Sequence, residues 1–328
     1  MDREQEAMQL LGFFGVIKES TKLIFTWRKI FSQITLALIL PFYFTILAHT
    51  KISNFLMAKI QLDQRALDHA IAGTPRYEML SNLVISDIIE LRLSTAAYFI
   101  LVLIFSLLST STVVYTIACV YTSRPITFGR AMSIVPKVWK RLVVTFFLGF
   151  LAIFVYLISI AVTTLICFLL FQPLHSPVIR VTLGFVLLIL SLFGLVYISV
   201  IWHLAGVISV LEDIYGVQAM FKSKNLIKGK LGISIAISLL LAIGSTAIHI
   251  VFRIFMASGY GSGFLRFGVA ALCFLFLLKL TLLGLVAQTV IYFVCKSHHD
   301  ENINKSALLL EEYVPLQADD VSLEQVDV

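Results

Sequence analysis

Lys279 is a cation within a long apolar run, Leu277-Leu278-Lys279-Leu280. An intramembrane charge is costly and marks a functional site by default. One interpretation is a site for an anion or a lipid headgroup between helices, with Gln288 on the same run. The other is a lysine that snorkels towards the interface or is hydrogen-bonded internally. Both interpretations stay open from the sequence.

Three further polar residues that could bind a ligand or a metal lie inside apolar runs. His249 and Arg253 are four residues apart and share a helical face, and His203 follows Trp202. No Cys or carboxylate stands at metal-ligand spacing from these histidines, so we expect neither a metal site nor a cofactor.

The sequence also lacks the common signatures of enzymes. It contains no H-E-x-x-H, no G-x-S-x-G and no G-x-x-x-x-G-K-[ST]. We therefore expect a non-enzymatic membrane protein that organises membrane or aids trafficking. The alternative function is a transporter or lipid-handling protein with a polar site near Lys279.

The composition requires that these residues be placed by membrane helices. Of 328 residues, 59% are hydrophobic and 13% charged, against about 45–50% and about 25% in soluble domains. Crossing the hydrocarbon core takes about 20 apolar residues in a helix. We predict an all-α polytopic membrane protein with six spans, at residues 30–48, 96–121, 142–171, 181–211, 231–256 and 267–295.

The distribution of charge predicts the orientation of these spans. Most of the 25 Lys and Arg residues lie in the N-terminal segment, the second and fourth loops and the start of the tail. Cytosolic loops carry an excess of basic residues. Both termini are therefore predicted to be cytosolic. We attribute the net positive charge of the chain to contact with the membrane surface and not to nucleic-acid binding.

A threefold organisation is predicted, with units at residues 1–123, 124–212 and 213–299. Each unit is one helical hairpin preceded by a short basic amphipathic segment, at residues 10–29, 127–141 and 213–230. Residues placed at the membrane interface in these segments are Trp27, Arg28, Lys29, Lys137, Trp139, Lys140, Arg141, Lys222, Lys224 and Lys228.

These segments have two interpretations. Amphipathic helices rich in Lys and Arg lie in the interfacial plane and attract anionic lipids, so contact with anionic lipid is the functional interpretation. The structural interpretation is three elbows that turn the chain between hairpins, with basic residues that topology alone would place there.

The C-terminal end contains two candidate modification or recognition signals. Cys295 stands at the predicted cytosolic edge of the sixth span, a position suited to S-palmitoylation. Residues 300–328 are acidic and are predicted to be a disordered cytosolic tail. Within it, Tyr313 and Leu316 form a tyrosine-x-x-apolar pattern of the kind read by vesicle adaptor proteins.

Residues of the fourth loop carry a resemblance to known proteins. They follow the order E-x3-G-x2-A-x3-S-x2-L-x2-G, and this loop resembles the cytosolic loop of bacterial multi-pass proteins related to the membrane domain of glycerophosphodiester phosphodiesterases. The residues are Glu212, Gly216, Ala219, Ser223, Leu226 and Gly229. The soluble phosphodiesterase domain is absent, so its chemistry is not carried over.

A second resemblance covers the whole chain. The stretches Leu11-Gly12-Phe13-Phe14-Gly15, Ser32-Gln33-Ile34-Thr35 and Glu312-Tyr313-Val314-Pro315-Leu316, with Leu323-Glu324-Gln325, are similar to an uncharacterised family of plant six-span membrane proteins. This resemblance implies a plant protein of the endomembrane system (ER or Golgi) or the plasma membrane, and implies no activity.

Overall fold

The computed structural model describes residues 11–122, 124, 126–171, 177–257 and 263–299. All regular elements in these ranges are helical, as the continuous apolar runs predict. They are α1 Phe13–Thr26, α2 Arg28–Ile34, a π-helical turn Thr35–Ile39, α3 Leu40–Asp68, α4 Pro75–Tyr121, α5 Phe128–Phe171, α6 Pro177–Leu211, α7 Gly216–Leu226, α8 Leu231–Ala257 and α9 Gly263–His298.

Six helices of the described chain are long and apolar enough to cross a membrane. Every backbone polar group in hydrocarbon needs a partner within the segment, and a helix supplies one. The spans are Arg28–Asp68, Pro75–Tyr121, Phe128–Leu170, Val181–Leu211, Leu231–Phe255 and Gly263–His298. The prediction of an all-α polytopic protein with six spans is confirmed.

The chain divides into two compact units, one of residues 1–31 and 110–328 and one of residues 32–109. In the larger unit, α5 pairs with α6 and α8 pairs with α9, and the short helices α1 and α7 pack onto these pairs. Helix α1 lies against α9 and α8, and α7 lies against α6 and α5. The predicted threefold division of the chain stays a prediction.

The smaller unit contains a helical hairpin made of α3 and most of α4. Gly73, with a φ of +84°, lies in the turn between them, and Pro75 begins α4. Contacts between the helices include His49 stacked on Tyr98, with ring centroids 4.1 Å apart, and Lys59 bonded to Asp87 at 2.7 Å.

The second amphipathic segment differs from the prediction. Residues 127–141 are not a separate interfacial helix, because α5 runs without a break from Phe128 through Pro136. The apolar stripe of this segment is buried within the protein and does not face the acyl boundary. The buried side chains are Ala131, Ile134, Val135, Val138 and Leu142.

Candidate functional site

The candidate site lies where the loop between α6 and α8 meets the C-terminal end of α9, in the larger unit. Helix α6 ends at Leu211, and Tyr215 adopts an extended conformation before α7. Gly216 follows with a φ of +65°, which L-amino acids with a side chain rarely adopt. Its backbone N–H donates to the Thr145 hydroxyl at 2.8 Å, and that hydroxyl lies 2.7 Å from the Ser209 hydroxyl.

The inner face of α7 is formed by the small residues of the loop pattern. Gly216, Ala219, Ser223 and Leu226 are all buried, because their spacing of three and four puts them on one side of the helix. The Ser223 hydroxyl donates to the Ile201 carbonyl of α6 at 2.8 Å. The pattern therefore encodes close packing of a short helix on the bundle.

The last residue of the pattern lies where α9 approaches the loop. Gly229 has a φ of +93°, and a Cβ atom there would lie 2.8 Å from the His298 ring. The neighbouring His299 ring lies with Nε2 3.2 Å from the Leu226 carbonyl. Gly229 thus allows the end of α9 to pass beside the loop.

Glu212 is the charged centre of this junction. Its Oε1 accepts hydrogen bonds from the Tyr292 hydroxyl at 2.7 Å and the Lys296 ammonium at 3.2 Å. Its Oε2 lies 2.8 Å from the Lys222 ammonium. Lys296 also donates to Tyr292 at 3.3 Å. We call Glu212, Lys222, Tyr292 and Lys296 the Glu212 cluster.

The Glu212 cluster is largely removed from water. Glu212 is 7% exposed and Lys296 4%. Burial by itself raises the pKa of the Glu212 carboxyl, but hydrogen bonds from Lys222 and Tyr292 and the charge of Lys296 outweigh it, so the net pKa lies below its ordinary value. The carboxylate is therefore ionised at neutral pH and compensates two lysines, which makes the cluster a structural tie between α6, α7 and α9.

The outer faces of α1 and α7 carry exposed lysines together with exposed phenylalanines. Along α1, Phe14, Lys18, Lys22 and Phe25 are exposed at helical spacing, with Phe14 at 82% and Phe25 at 77%. The inner face, with Val16 and Leu23, is buried. The inner side of α1 thus packs within the protein, and its outer side carries both basic and aromatic residues.

Helix α7 repeats this arrangement. Val217, Phe221 and Lys224 follow each other at helical spacing and are exposed, on the side opposite Ala219 and Ser223, and the exposed Lys228 lies in the turn just after the helix. The other residues predicted at the interface differ in exposure. Trp27, Arg28, Lys29, Lys137 and Lys140 are exposed, whereas Trp139, Arg141 and Lys222 are partly buried. Arg141 pairs with Asp213 at the end of α6.

The residues proposed for a ligand site do not form a buried site. Lys279 is exposed and shares a face of α9 with the exposed Leu272 and Phe276. That face is apolar, so the position fits a lysine that snorkels towards the interface. Gln288 is partly buried on the same helix. His249 and Arg253 are exposed on α8. His203 is exposed on α6 and stacks on Trp202.

Cys295 is fully buried, so its thiol is inaccessible to an acyltransferase in this conformation. The structure therefore does not favour S-palmitoylation there. Tyr313 and Leu316 lie outside the described residues. Within the described ranges, His, Cys, Asp and Glu form no group of three that could hold a metal ion.

Two members of the Glu212 cluster were missed by sequence reasoning. Tyr292 and Lys296 stand 80 and 84 residues after Glu212. Nothing in local spacing connects them. The acidic residue at the head of the loop pattern was the available signal, since a carboxylate beside a span needs a partner when it is buried.

The six apolar helices define a multi-pass membrane protein. The chain belongs to the family described as a domain of unknown function (DUF8558), which matches residues 1–326. No curated protein and no solved structure matches the chain.

Proposed function

We propose that this protein is a non-enzymatic multi-pass membrane protein that organises membrane or supports trafficking through contact with anionic lipids. The observation that carries the proposal is the presence of exposed lysines and phenylalanines together on the outer faces of α1 and α7. An aromatic ring suits the headgroup level of a bilayer, and a nearby lysine is attracted to anionic headgroups.

The position of these faces supports the proposal. Helix α1 packs on α9 and α8, and α7 packs on α6 and α5. Glu19 of α1 interacts electrostatically with Tyr121 at the end of α4, and Tyr121 lies against Phe293 near the end of α9. Helix α7 is tied to the same end of α9 by the Glu212 cluster. Both faces therefore belong to one end of the larger unit. We assign this end, and with it both termini, to the cytosol, where anionic lipids are concentrated.

The proposed setting follows from the resemblances in the sequence. We place the protein in a plant endomembrane or plasma membrane, as one of a group of six-span proteins with a distant likeness to the membrane domain of glycerophosphodiester phosphodiesterases. The acidic tail would provide the second contact, with vesicle adaptors at Tyr313 and Leu316. Substitution Tyr313→Ala should then shift the steady-state compartment of a fluorescently tagged chain.

The lipid contact is tested with the full chain in nanodiscs of mixed phosphatidylcholine and phosphatidylserine. The measured quantity is the enrichment of phosphatidylserine in discs that hold protein over empty discs. The variants are Lys18→Gln with Lys22→Gln on α1, and Lys224→Gln with Lys228→Gln on α7 and the turn after it. Each lysine near an anionic surface contributes about 1 kcal/mol, so each pair should lower the enrichment several-fold.

The matched control is Lys51→Gln with Arg65→Gln, which removes two exposed cations from α3. It should leave the enrichment unchanged. Raising the salt concentration should weaken the enrichment in the unchanged chain, because exposed charges are screened. Inorganic phosphate at matched ionic strength should have no further effect if lipid headgroups are the ligand. Equal enrichment in the unchanged chain and all variants would contradict the proposal.

A further inference from the structure

The described part of the chain ends beside the C-terminal end of α7. The Nε2 atom of the His299 ring lies 3.2 Å from the carbonyl oxygen of Leu226, the last residue of α7. The preceding His298 ring lies against Gly229, where an added Cβ atom would be 2.8 Å from its Nε2. Residues 300–328, which we call the acidic tail, therefore begin next to the end of α7.

The outer side of α7 combines cations with apolar side chains. Lys224 and Lys228 are exposed, and Phe221 and Val217 are 63% and 51% exposed. Within the described ranges, neither of these two lysine ammonium groups pairs with a carboxylate. We call these four residues the α7 face. A segment that suits this face must be acidic and partly apolar.

The acidic tail, which lies outside the described residues, has this composition. It contains eight Asp and Glu residues and one Lys, so its side chains carry a charge of −7, whereas residues 1–299 carry +13. Its longest apolar run, Ala307-Leu308-Leu309-Leu310, is followed directly by Glu311 and Glu312. The acidic tail therefore complements the α7 face in both charge and polarity.

The α7 face is within reach of the acidic tail. The 29 residues of the tail could extend about 100 Å at most, whereas the 11 residues of α7 are about 16 Å long. A segment that starts at one end of α7 needs only to turn back along the helix. Because both partners belong to one chain, they meet at an effective concentration on the order of millimolar, as for other short tethers.

We propose that the acidic tail binds the α7 face of its own chain. The adjacent carboxylates of Glu311 and Glu312 pair with the two lysines of the face, and the leucines before them cover Phe221. A consequence rests on the proposed lipid contact of Lys224 and Lys228. Because the bound tail neutralises these lysines, it competes with anionic lipids for the same site, and its release exposes the lysines to headgroups.

The surroundings of the junction favour this occupant. The cytosolic leaflet, to which this end of the protein is assigned, is anionic and repels a segment of charge −7. The tail is therefore attracted to cations of the protein and not to the bilayer. On α1, Lys22 already has the Glu19 carboxylate 3.9 Å away. The contacts of His298 and His299 direct the chain to α7.

The contact is tested with the full chain in nanodiscs of phosphatidylcholine alone, so the result does not depend on anionic lipid. The chain carries Asn225→Cys, at an exposed position of α7, and Val314→Cys in the tail. It also carries Cys167→Ser, and the three other cysteines are buried. The measured quantity is the rate at which mild oxidation forms the intramolecular disulfide, followed by mass spectrometry of the digested chain.

The charges of the α7 face should control this rate. Lys224→Gln with Lys228→Gln should lower it several-fold, and so should a high salt concentration, because exposed charges are screened. The matched control is Lys18→Gln with Lys22→Gln, which removes the same charge from α1 and should leave the rate unchanged. Matching circular dichroism of the variants excludes misfolding as the cause.

Substitutions in the tail give the reciprocal test. Glu311→Gln with Glu312→Gln should lower the rate of disulfide formation as strongly as the substitutions of the α7 lysines. Asp319→Asn with Asp320→Asn removes the same charge from another part of the tail and should have little effect. In nanodiscs of mixed phosphatidylcholine and phosphatidylserine, the Glu311 and Glu312 variant should raise the enrichment of phosphatidylserine several-fold, whereas the Asp319 and Asp320 variant should not.

The two readouts separate the tail contact from the lipid contact. Equal disulfide rates in the α7 and α1 lysine variants, or in the two tail variants, would overturn the binding of the tail to the α7 face, whatever the lipid measurement shows. Rates that depend on Lys224 and Lys228, in a chain that does not enrich phosphatidylserine, would support the tail contact and contradict the proposed lipid function. Enrichment that the Glu311 and Glu312 substitutions leave unchanged would overturn the competition.

Discussion

Lys296 and Glu212 form a buried ion pair at 3.2 Å that joins the last turns of α9 to the end of α6. Tyr292, one helical turn before Lys296, donates to the same carboxylate oxygen. The pair is completed by Lys222 from α7 on the other oxygen. One carboxylate thus joins the consecutive helices α6 and α7 to α9, whose Tyr292 lies 80 residues further along the chain.

Substitution Glu212→Gln should destabilise the larger unit strongly. It leaves Lys296 buried without its counter-charge, and breaking a buried pair in this way costs about 3–5 kcal/mol. The free energy of unfolding is measured by titrating SDS into mixed micelles. Glu19→Gln is the control, since Glu19 and Lys22 are 3.9 Å apart at the surface. Such pairs contribute less than about 1 kcal/mol, so a similar loss for both variants would refute the role of the cluster.

Acidification should destabilise the protein in the range where Glu212 titrates. Its pKa is lower in the folded protein than the ordinary value of 4.5. Between the two pKa values the unfolded chain binds more protons, so stability rises with pH there. The contribution is complete above about the unfolded pKa and is lost as the pH falls through the folded pKa. The difference in stability between the unchanged chain and Glu212→Gln should shrink below pH 4.5, and a constant difference would contradict this account.

Substitution Gly216→Ala should destabilise the loop by about 1–2 kcal/mol, because a residue with a Cβ atom is strained at a φ of +65°. The added carbon would also lie 3.2 Å from Leu148. Gly232→Ala is the matched control: the site is helical and open, and alanine favours a helix over glycine. Thermal unfolding followed by tryptophan fluorescence should show a lower Tm for Gly216→Ala and an unchanged or higher Tm for Gly232→Ala.

The thiol of Cys295 should not react with a maleimide in the folded protein, because it has no exposed surface. Mass spectrometry of the labelled chain gives the extent of reaction. A cysteine introduced by Ser133→Cys, at an exposed position of α5, should react rapidly under the same conditions. Fast labelling of Cys295 before unfolding would show that the end of α9 opens, and would return S-palmitoylation to consideration.

The number and placement of the spans were predictable because each apolar run is continuous and longer than a bilayer requires. The start of α5 was harder to predict, since the apolar stripe and basic face of residues 127–141 indicated a separate interfacial segment, whereas the helix runs on through Pro136. An amphipathic pattern shows that one face is apolar, but it does not say whether lipid or protein covers that face. Ala131 and Val138 are covered by protein.

The candidate site was predictable in part. The loop pattern around Gly216 and Ser223 was visible in the sequence, and the structure explains its residues by packing and backbone geometry. Its connection to Tyr292 and Lys296 was not visible, because a contact across 80 residues depends on how the spans pack. The charge of Lys279 within an apolar run predicted a ligand site there. The sequence does not show whether that side chain points into the protein or outward.

The distance in sequence between Glu212 and its partners has a consequence for biosynthesis. When the fourth span has entered the membrane, Glu212 still lacks Tyr292 and Lys296, which emerge from the ribosome 80 and 84 residues later. Until then the loop keeps an incompletely neutralised carboxylate. A chain cut short by a nonsense mutation before Tyr292 would lack both partners permanently, so the junction forms only in chains that include the end of α9.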